Sequence, residues 1–294
     1  MGCGDTLLTL SANAKINLTL DILGTREDGY HEVAMIMQEI SLHDTLSMGK
    51  INQGISLTIA IEGQQGNLPA DESNLCWKAA ALVQKEYNLQ EGVEIHLTKR
   101  IPMAAGLAGG SADAAAVLKG MNHLFRLGMT EARLCELGAR LGSDIPFCIM
   151  GGTMLATGRG EILTRLPGFP RLSVVLAKPP VGVSTAWAYK TYDAGYAGPH
   201  PDNEAMLAAI HERDAHKAAD LLCNVLEGVT ETEHPVIADY KRLMLEHGAM
   251  ASMMSGSGPT VFGLVREKQQ AWHLADTLKK YDGEAAVFVA ETLG

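Results

Sequence analysis

Apolar positions along this chain change their period again and again, and the changes mark out its elements. Residues 6–23, TLLTLSANAKINLTLDIL, are rich in leucine and β-branched residues and predict strand, break, strand. REDGYHEV predicts a turn with Asp28-Gly29 at its tip. AMIMQEISLHDTLSM, ISLTIAIEG and VEIHLTKRI (93–101) predict further strands. Between the last two, SNLCWKAAALVQKEYNL carries apolar residues at helical spacing behind a serine that can cap the helix. Pro102 ends that run. Beyond it Ala115, Leu118, Met121 and Phe125 recur at helical spacing, and MTEARLCELGARLG (129–142) predicts a second helix with Thr130 as cap and Gly142 as stop. The glycine-punctuated GSDIPFCIMGGTMLATGRGEIL follows, then a strand in LSVVLAKP (172–179). Helices are predicted at 184–192, 203–211, 214–226 and within HPVIADYKRLMLEHG. GAMASMMSGSGPTVFGLV reads as strand, glycine loop, strand, and a helix and a strand close the chain. The class is α+β in two domains, 1–163 and 164–294, divided around GRGEILTRLPGFPR.

Composition narrows what such a protein does. A chain of 294 residues with 47% hydrophobic and 20% charged side chains can bury enough apolar surface to order two domains. Its formal net charge of -10, from 24 basic and 34 acidic residues, argues against nucleic acid as a partner. A small anion remains possible, because backbone N–H groups can hold phosphate locally. Five widely spaced cysteines without a CxxC pair argue against a zinc site or a disulfide framework and point to a reducing cytoplasm. No apolar run approaches the roughly 20 residues of a membrane span, and no signal peptide is expected. The start MGCGDT fits the N-myristoylation pattern, but that pattern is short and no basic patch follows, so it reads as a chance match. His211 and His216 are five apart, poor spacing for one helical face, and no histidine pair suggests a metal.

The stretch 102-PMAAGLAGGSADAAAVL-118 has two readings. It is a tight strand-to-helix turn built of small residues for packing, or a phosphate cradle. It lacks the lysine of a Walker A loop and the GxGxxG spacing of a dinucleotide fingerprint. Gly106, Gly109 and Gly110 permit positive φ, and a helix starting near Ser111 would present unpaired N–H groups and a partial positive charge to an anion.

The order of these residues, a strand-ending proline followed by G-L-x-G and a serine, resembles the second motif of the GHMP kinase superfamily. Three further blocks agree with it in sequence order: 12-ANAKINLTLDILGTREDGYHEV-33, 142-GSDIPFCIMGGTMLATGRGE-161 and 255-SGSGPTVFGL-264. The DGYH element is similar to the branch of that superfamily whose acceptor is a cytidine-diphosphate-linked methylerythritol of the non-mevalonate isoprenoid route. The resemblance implies a two-domain GHMP kinase fold, with an N-terminal domain like domain 2 of ribosomal protein S5 and a C-terminal α/β sandwich.

It also implies roles for residues. Lys15 matches the active-site lysine and Asp144 the catalytic aspartate; phosphorylating an alcohol needs a proton acceptor beside positive charge, which such a pair supplies. The ATP phosphates would be held by Pro102, Met103, Ala104, Ala105, Gly106, Leu107, Ala108, Gly109, Gly110, Ser111 and Ala112. Asn74, Leu75 and Lys99 would line the nucleotide pocket. Tyr30 would stack on the cytosine, His31 would read its edge, and Asn17 and Thr185 would contact the acceptor. Mg²⁺ would ride on the ATP phosphates with few protein ligands. The partner is a small molecule, with neither nucleic acid nor membrane, on a monomer or weak homodimer. The phosphate loop departs from its relatives at Ala104, Ala105, Ala108 and Ala112, which is expected to adjust ATP affinity rather than abolish activity. Competing readings are another GHMP kinase, of homoserine or mevalonate type, and a non-catalytic nucleotide or sugar sensor on the same fold.

Overall fold

The computed structural model describes residues 7–63, 66–195 and 198–294; the MGCGDT start lies outside the described residues. In chain order the elements are β1 (Leu8–Thr25), β2 (His31–Ile51), β3 (Ile55–Ile61), α1 (Leu75–Tyr87), β4 (Gly92–Lys99), α2 (Gly109–Leu124) and α3 (Glu131–Ala139). There follow α4 (Ile145–Met150), β5 (Thr153–Thr157), β6 (Ile162–Arg165), β7 (Ser173–Lys178), α5 (Thr185–Asp193), α6 (Asn203–His211) and α7 (Ala215–Asp220). The chain ends with β8 (Cys223–Asn224), α8 (Glu227–Glu233), α9 (Val236–Glu246), β9 (Ala251–Met254), β10 (Val261–Val265), α10 (Lys268–Tyr281) and β11 (Ala286–Glu291).

Several expectations shift. The break foreseen within residues 6–23 is absent, because Ala12 and Ala14 point small side chains inward and the backbone stays extended. The cap of α1 is Asn74, whose Oδ1 accepts from the Cys76 N–H at 2.8 Å; Ser73 instead donates its hydroxyl to Asp71. Helix α2 starts two residues before Ser111, and α3 stops at Ala139, before Gly142. The helix foreseen over 214–226 ends at Asp220, because Cys223 and Asn224 are drawn into a parallel pairing with Thr19 and Leu20 of β1.

Packing divides the chain into two compact units that interleave in sequence. One comprises residues up to Ala14, His43–Ile101 and Ala108–Met150; the other comprises Lys15–Leu42, Pro102–Leu107 and Gly151–Gly294. The division differs from a single cut near residue 164, because β1 and β2 each contribute to both units. In the first unit β4 pairs parallel with β3 and antiparallel with the later half of β2. Leu46 opposes Leu97 and Met48 opposes Ile95, and all four are buried under Val83 of α1 and Ala115 and Leu118 of α2. Each such side chain is worth about 1.5–3 kcal/mol of burial.

In the second unit, β5 pairs with β6 and with the start of β2. A separate antiparallel sheet runs β11-β7-β10-β9. Its middle strands read as unbroken apolar runs, Val174–Ala177 and Val261–Val265, as strands covered on both faces must. Helix α10 lays Ala271, Leu274 and Leu278 towards this sheet.

The cap of α1 gives a measurable expectation. Asn74→Ala should cost about 1 kcal/mol of stability, read as a lower urea midpoint with unchanged slope, and Asn74→Ser should restore part of it.

Candidate active site

The later half of β1 buries both of its faces, and one of them is polar. Ile16, Leu18, Leu20 and Ile22 alternate with Lys15, Asn17, Thr19 and Asp21, and all eight are at most 7% exposed. A buried polar row must find partners. The Lys15 ammonium donates to Asn17 Oδ1 at 2.6 Å and to the Gly106 carbonyl at 3.2 Å. The Thr19 hydroxyl donates to Asn203 Oδ1 at 2.6 Å and accepts from the Ile36 N–H at 3.1 Å. Asp21 Oδ1 lies 2.6 Å from His200 Nδ1. Lys15 is only 4% exposed, yet both of these acceptors are neutral, and among the described residues of its unit no carboxylate pairs with it. That leaves a buried positive charge for an anion to meet.

Two glycine segments close on this lysine. The Ser255 hydroxyl donates to the same Gly106 carbonyl at 3.0 Å and accepts from the Asn17 N–H at 3.4 Å. Gly106 has φ +74°, and a Cβ there would stand 2.1 Å from the Ser255 carbonyl oxygen, so only glycine fits. A Cβ on Gly256 would lie 3.4 Å from Lys15 Nζ. Asn224 holds the Ser255–Gly258 turn from behind, its Nδ2 donating to the carbonyls of Met254 and Gly256 at 2.9 and 2.8 Å. Thr185 Oγ1 and Ser257 Oγ are 3.0 Å apart, which brings the Thr185 site to the same turn.

A second cluster of the same unit surrounds His31. Its Nε2 lies 2.8 Å from Asp193 Oδ1, and its ring centroid is 4.8 Å from that of Tyr189 on α5. Tyr30 is 56% exposed, with the Arg159 guanidinium 5.0 Å from its ring centroid. The turn that presents this pair is held by Asp28, which accepts from the Tyr30 N–H at 3.1 Å and pairs with Arg26. Those contacts, the Tyr30 N–H foremost, keep the Asp28 carboxyl below its ordinary range. Arg26 also pairs with Glu32 at 2.6 Å.

The remaining candidates lie in the segment ahead of α2 and in the first unit. Left-handed backbone falls on Ala104 (φ 49°), Gly106 and Ala108 (φ 56°), whereas Gly109 and Gly110 are already helical. An L-residue in that region costs about 1–2 kcal/mol, so the alanines carry strain where glycine was expected to bend. Ala108 has no side chain to cap α2, and the first N–H groups of that sixteen-residue helix are left for another acceptor. Asp144 immediately precedes α4 and its carbonyl accepts from the Cys148 N–H at 3.1 Å. The Asp144 carboxylate is half-buried and, among the described residues of its unit, has neither hydrogen bond nor ion pair. Leu75 opens α1 and lies 3.6 Å from where a Cβ on Gly110 would stand. Lys99 differs from expectation. It is 2% exposed and its ammonium is taken by Asp44 and Asp113, so it is held inside the first unit by two carboxylates.

The structure thus gathers Lys15, Asn17, Thr185 and Pro102–Leu107 around one turn and Tyr30 with His31 in a neighbouring cluster of the same unit, while Asn74, Leu75, Lys99, Ala108–Ala112 and Asp144 belong to the other unit. Sequence reasoning missed Ser255, Asn224, Tyr189, Asp193 and Arg159. The alternation K-I-N-L-T-L-D carried a usable signal, a strand polar on one face in an otherwise apolar region. Nothing local marked Asn224 or Asp193, which matter only through contacts distant in sequence.

Comparison with known proteins now bears on the chain. Residues 74–152 match the family model for the GHMP kinases N terminal domain and residues 206–282 that for the GHMP kinases C terminal domain. A 4-diphosphocytidyl-2-C-methyl-D-erythritol kinase of Acetivibrio thermocellus is 48% identical over 286 residues, covering 97% of this chain and 99% of the relative. A crystal structure of 4-(cytidine 5'-diphospho)-2C-methyl-D-erythritol kinase superposes with a TM-score of 0.82 at 32% identity, covering 98% of this chain and 100% of that one. Homoserine kinase from Cytophaga hutchinsonii shares the fold, with a TM-score of 0.77 at 20% identity over 100% of this chain and 96% of its own. The chain belongs to the GHMP kinase family, in its 4-diphosphocytidyl-2-C-methyl-D-erythritol kinase group.

Proposed function

We propose that the protein transfers the γ-phosphoryl group of ATP to the 2-hydroxyl of 4-diphosphocytidyl-2-C-methyl-D-erythritol, a step towards isoprenoid precursors by the non-mevalonate route. The observation that carries this reading at the level of chemistry is the buried Lys15 ammonium, faced by two neutral oxygens and flanked by two glycine segments. In the transfer, the acceptor oxygen forms a bond to the γ-phosphorus as the bond to the β,γ-bridging oxygen breaks, and ADP leaves. Asp144 takes the hydroxyl proton; its uncommitted carboxylate suits a proton acceptor. Lys15 offsets the charge that develops on the transferring group, and Asn17 fixes the lysine's direction. The N–H groups at the start of α2, from Gly109 to Ser111, hold the phosphates.

Mg²⁺ enters this reading as part of the Mg·ATP substrate, offsetting phosphate charge. Mg²⁺ keeps several waters and binds through substrate phosphates with few protein ligands, which suits an ion arriving on the nucleotide. The acceptor is recognised at its cytosine. With Nε2–H donated to Asp193, His31 Nδ1 is left as an acceptor for the base's amino group, and the exposed Tyr30 ring offers a stacking face. We place this activity in the cytoplasm, on a monomer or weak homodimer. The free thiols among the described residues accord with that compartment, and no described helix is long and apolar enough to cross a membrane.

The test is ADP release from Mg·ATP with the cytidyl acceptor, and with homoserine and mevalonate as controls. Turnover should require the cytidyl acceptor; turnover with a control instead would move the substrate assignment to another branch. Asp144→Asn should lower kcat by about 10²–10⁴-fold, and wild-type kcat in that variant would remove Asp144 as the proton acceptor. Tyr30→Ala should raise KM for the cytidyl acceptor by about 5- to 150-fold, equivalent to about 1–3 kcal/mol of stacking, while leaving KM for ATP in place.

A further inference from the structure

Within the first unit a three-residue ionic cluster is sealed beneath the start of α2. The Lys99 ammonium donates to Asp44 Oδ2 and, at 2.8 Å, to Asp113 Oδ2. Lys99, Asp44 and Asp113 are 2%, 0% and 3% exposed. Asp44 is fully engaged, because its Oδ1 also accepts from the N–H groups of Arg100 and, at 2.8 Å, Ile101. Asp113 is not: its Oδ1 is buried without any partner. The ammonium stands 2.8 Å from where a Cβ on Gly109 would be, so the cluster touches the first residue of α2, a helix whose start carries no side-chain cap.

Counting charges exposes a problem. One ammonium and two carboxylates leave a net negative charge away from water, which costs several kcal/mol unless a proton neutralises it. Asp44, with an ammonium and two backbone donors, is the carboxylate that stays ionised. We propose that Asp113 is a proton-holding positioning residue: as the neutral acid it balances the Lys99–Asp44 pair under the first turn of α2, and its ionisation weakens the hold of that turn on the phosphates of ATP.

The groups that face Asp113 agree. Besides Lys99 at the end of β4 and Asp44 on β2, the titratable neighbour is the Cys76 thiol on α1, itself pushed up by burial and by Asp113. Burial first, and Asp44 after it, push the Asp113 carboxyl up to about 8 against the pull of Lys99. Burial draws the Lys99 ammonium down, but the two carboxylates overturn that and raise it, so the lysine stays charged. Once Asp113 ionises, a full negative charge stands one turn into a helix whose N-terminus carries only about half a positive charge. A carboxyl whose folded pKa is raised stabilises the fold at low pH, and that stabilisation is lost as pH rises from the ordinary aspartate range through about 8.

This inference rests on the reading of the 102–112 segment as the ATP phosphate loop, and its test is independent of turnover. The ligand-free protein is titrated by ¹³C NMR of its aspartate carboxyl carbons, wild type beside Asp113→Asn. One signal, missing from D113N, should remain protonated at neutral pH and titrate near 8; if every aspartate has titrated by about pH 5, the proposal is overturned, and the wild-type spectra alone decide this if D113N does not fold. The melting temperature of wild type should fall relative to D113N as pH rises from about 4 to 9, and parallel curves would likewise sink the idea. The Kd for Mg·ATP, by calorimetry, should rise about fivefold more in wild type than in D113N between neutral pH and about pH 9, and an equal rise in both would overturn it. Absence of turnover alongside this pH-linked ATP binding would remove the acceptor assignment and leave the role of Asp113 standing.

Discussion

A buried cation held by neutral acceptors constrains everything near it, and Lys15, with no carboxylate paired to it among the described residues of its unit, imposes that constraint on the second unit. Desolvating an ammonium costs several kcal/mol even after relaxation, and hydrogen bonds to Asn17 and to the Gly106 carbonyl recover only part of it. The polar face of β1 exists because its row of side chains supplies partners to one another and to the loops above. The proposed function puts that residual positive charge to use, because a phosphoryl group brings negative charge to meet it. An apolar strand here would pack more cheaply and do nothing.

The lysine and the loops are mechanically linked through a single carbonyl. Gly106 oxygen accepts from both Lys15 and the Ser255 hydroxyl, and Ser255 accepts in turn from the Asn17 backbone. Shifting the Gly106 segment therefore strains the lysine, the serine and the strand together. The approach is possible only because Gly106 has no Cβ, and it is fixed from behind by Asn224, whose amide satisfies two carbonyls of the returning turn. Positioning of this kind holds a charge within the narrow tolerance that phosphoryl transfer requires.

How much of this was legible in the sequence differs between levels. Elements with a strong period, such as α1, α10, β7 and β10, were readable because burial on one stripe or on both faces writes directly into residue order. Boundaries were less so. Asn74 rather than Ser73 caps α1 because Ser73 is already bonded to Asp71, a competition no local rule ranks. The stop of α7 depends on a pairing with β1 some 200 residues earlier. Of the three glycines expected to bend the 102–112 segment only Gly106 takes positive φ; Ala104 and Ala108 share the bend, and Gly109 and Gly110 are helical. Lys99 matched a nucleotide-lining position by order alone; only the fold reveals two aspartates around it.

Fold and specificity are separable in this protein. A homoserine kinase shares the architecture over the full chain at 20% identity, so the layers and the loop scaffold do not choose the acceptor. Under the proposed function the acceptor is chosen at the His31 cluster, built from the turn between β1 and β2 and from α5. His31 takes its ring orientation from Asp193 and its packing from Tyr189, and Tyr30 stays exposed with Arg159 at its face. A ligand without a flat ring bearing hydrogen-bonding edges gains nothing from that arrangement and leaves its polar groups unmet, which is how a site rejects as well as accepts. On that reading, the Lys15 network answers to the demands of one reaction and the His31 cluster to the molecule presented to it.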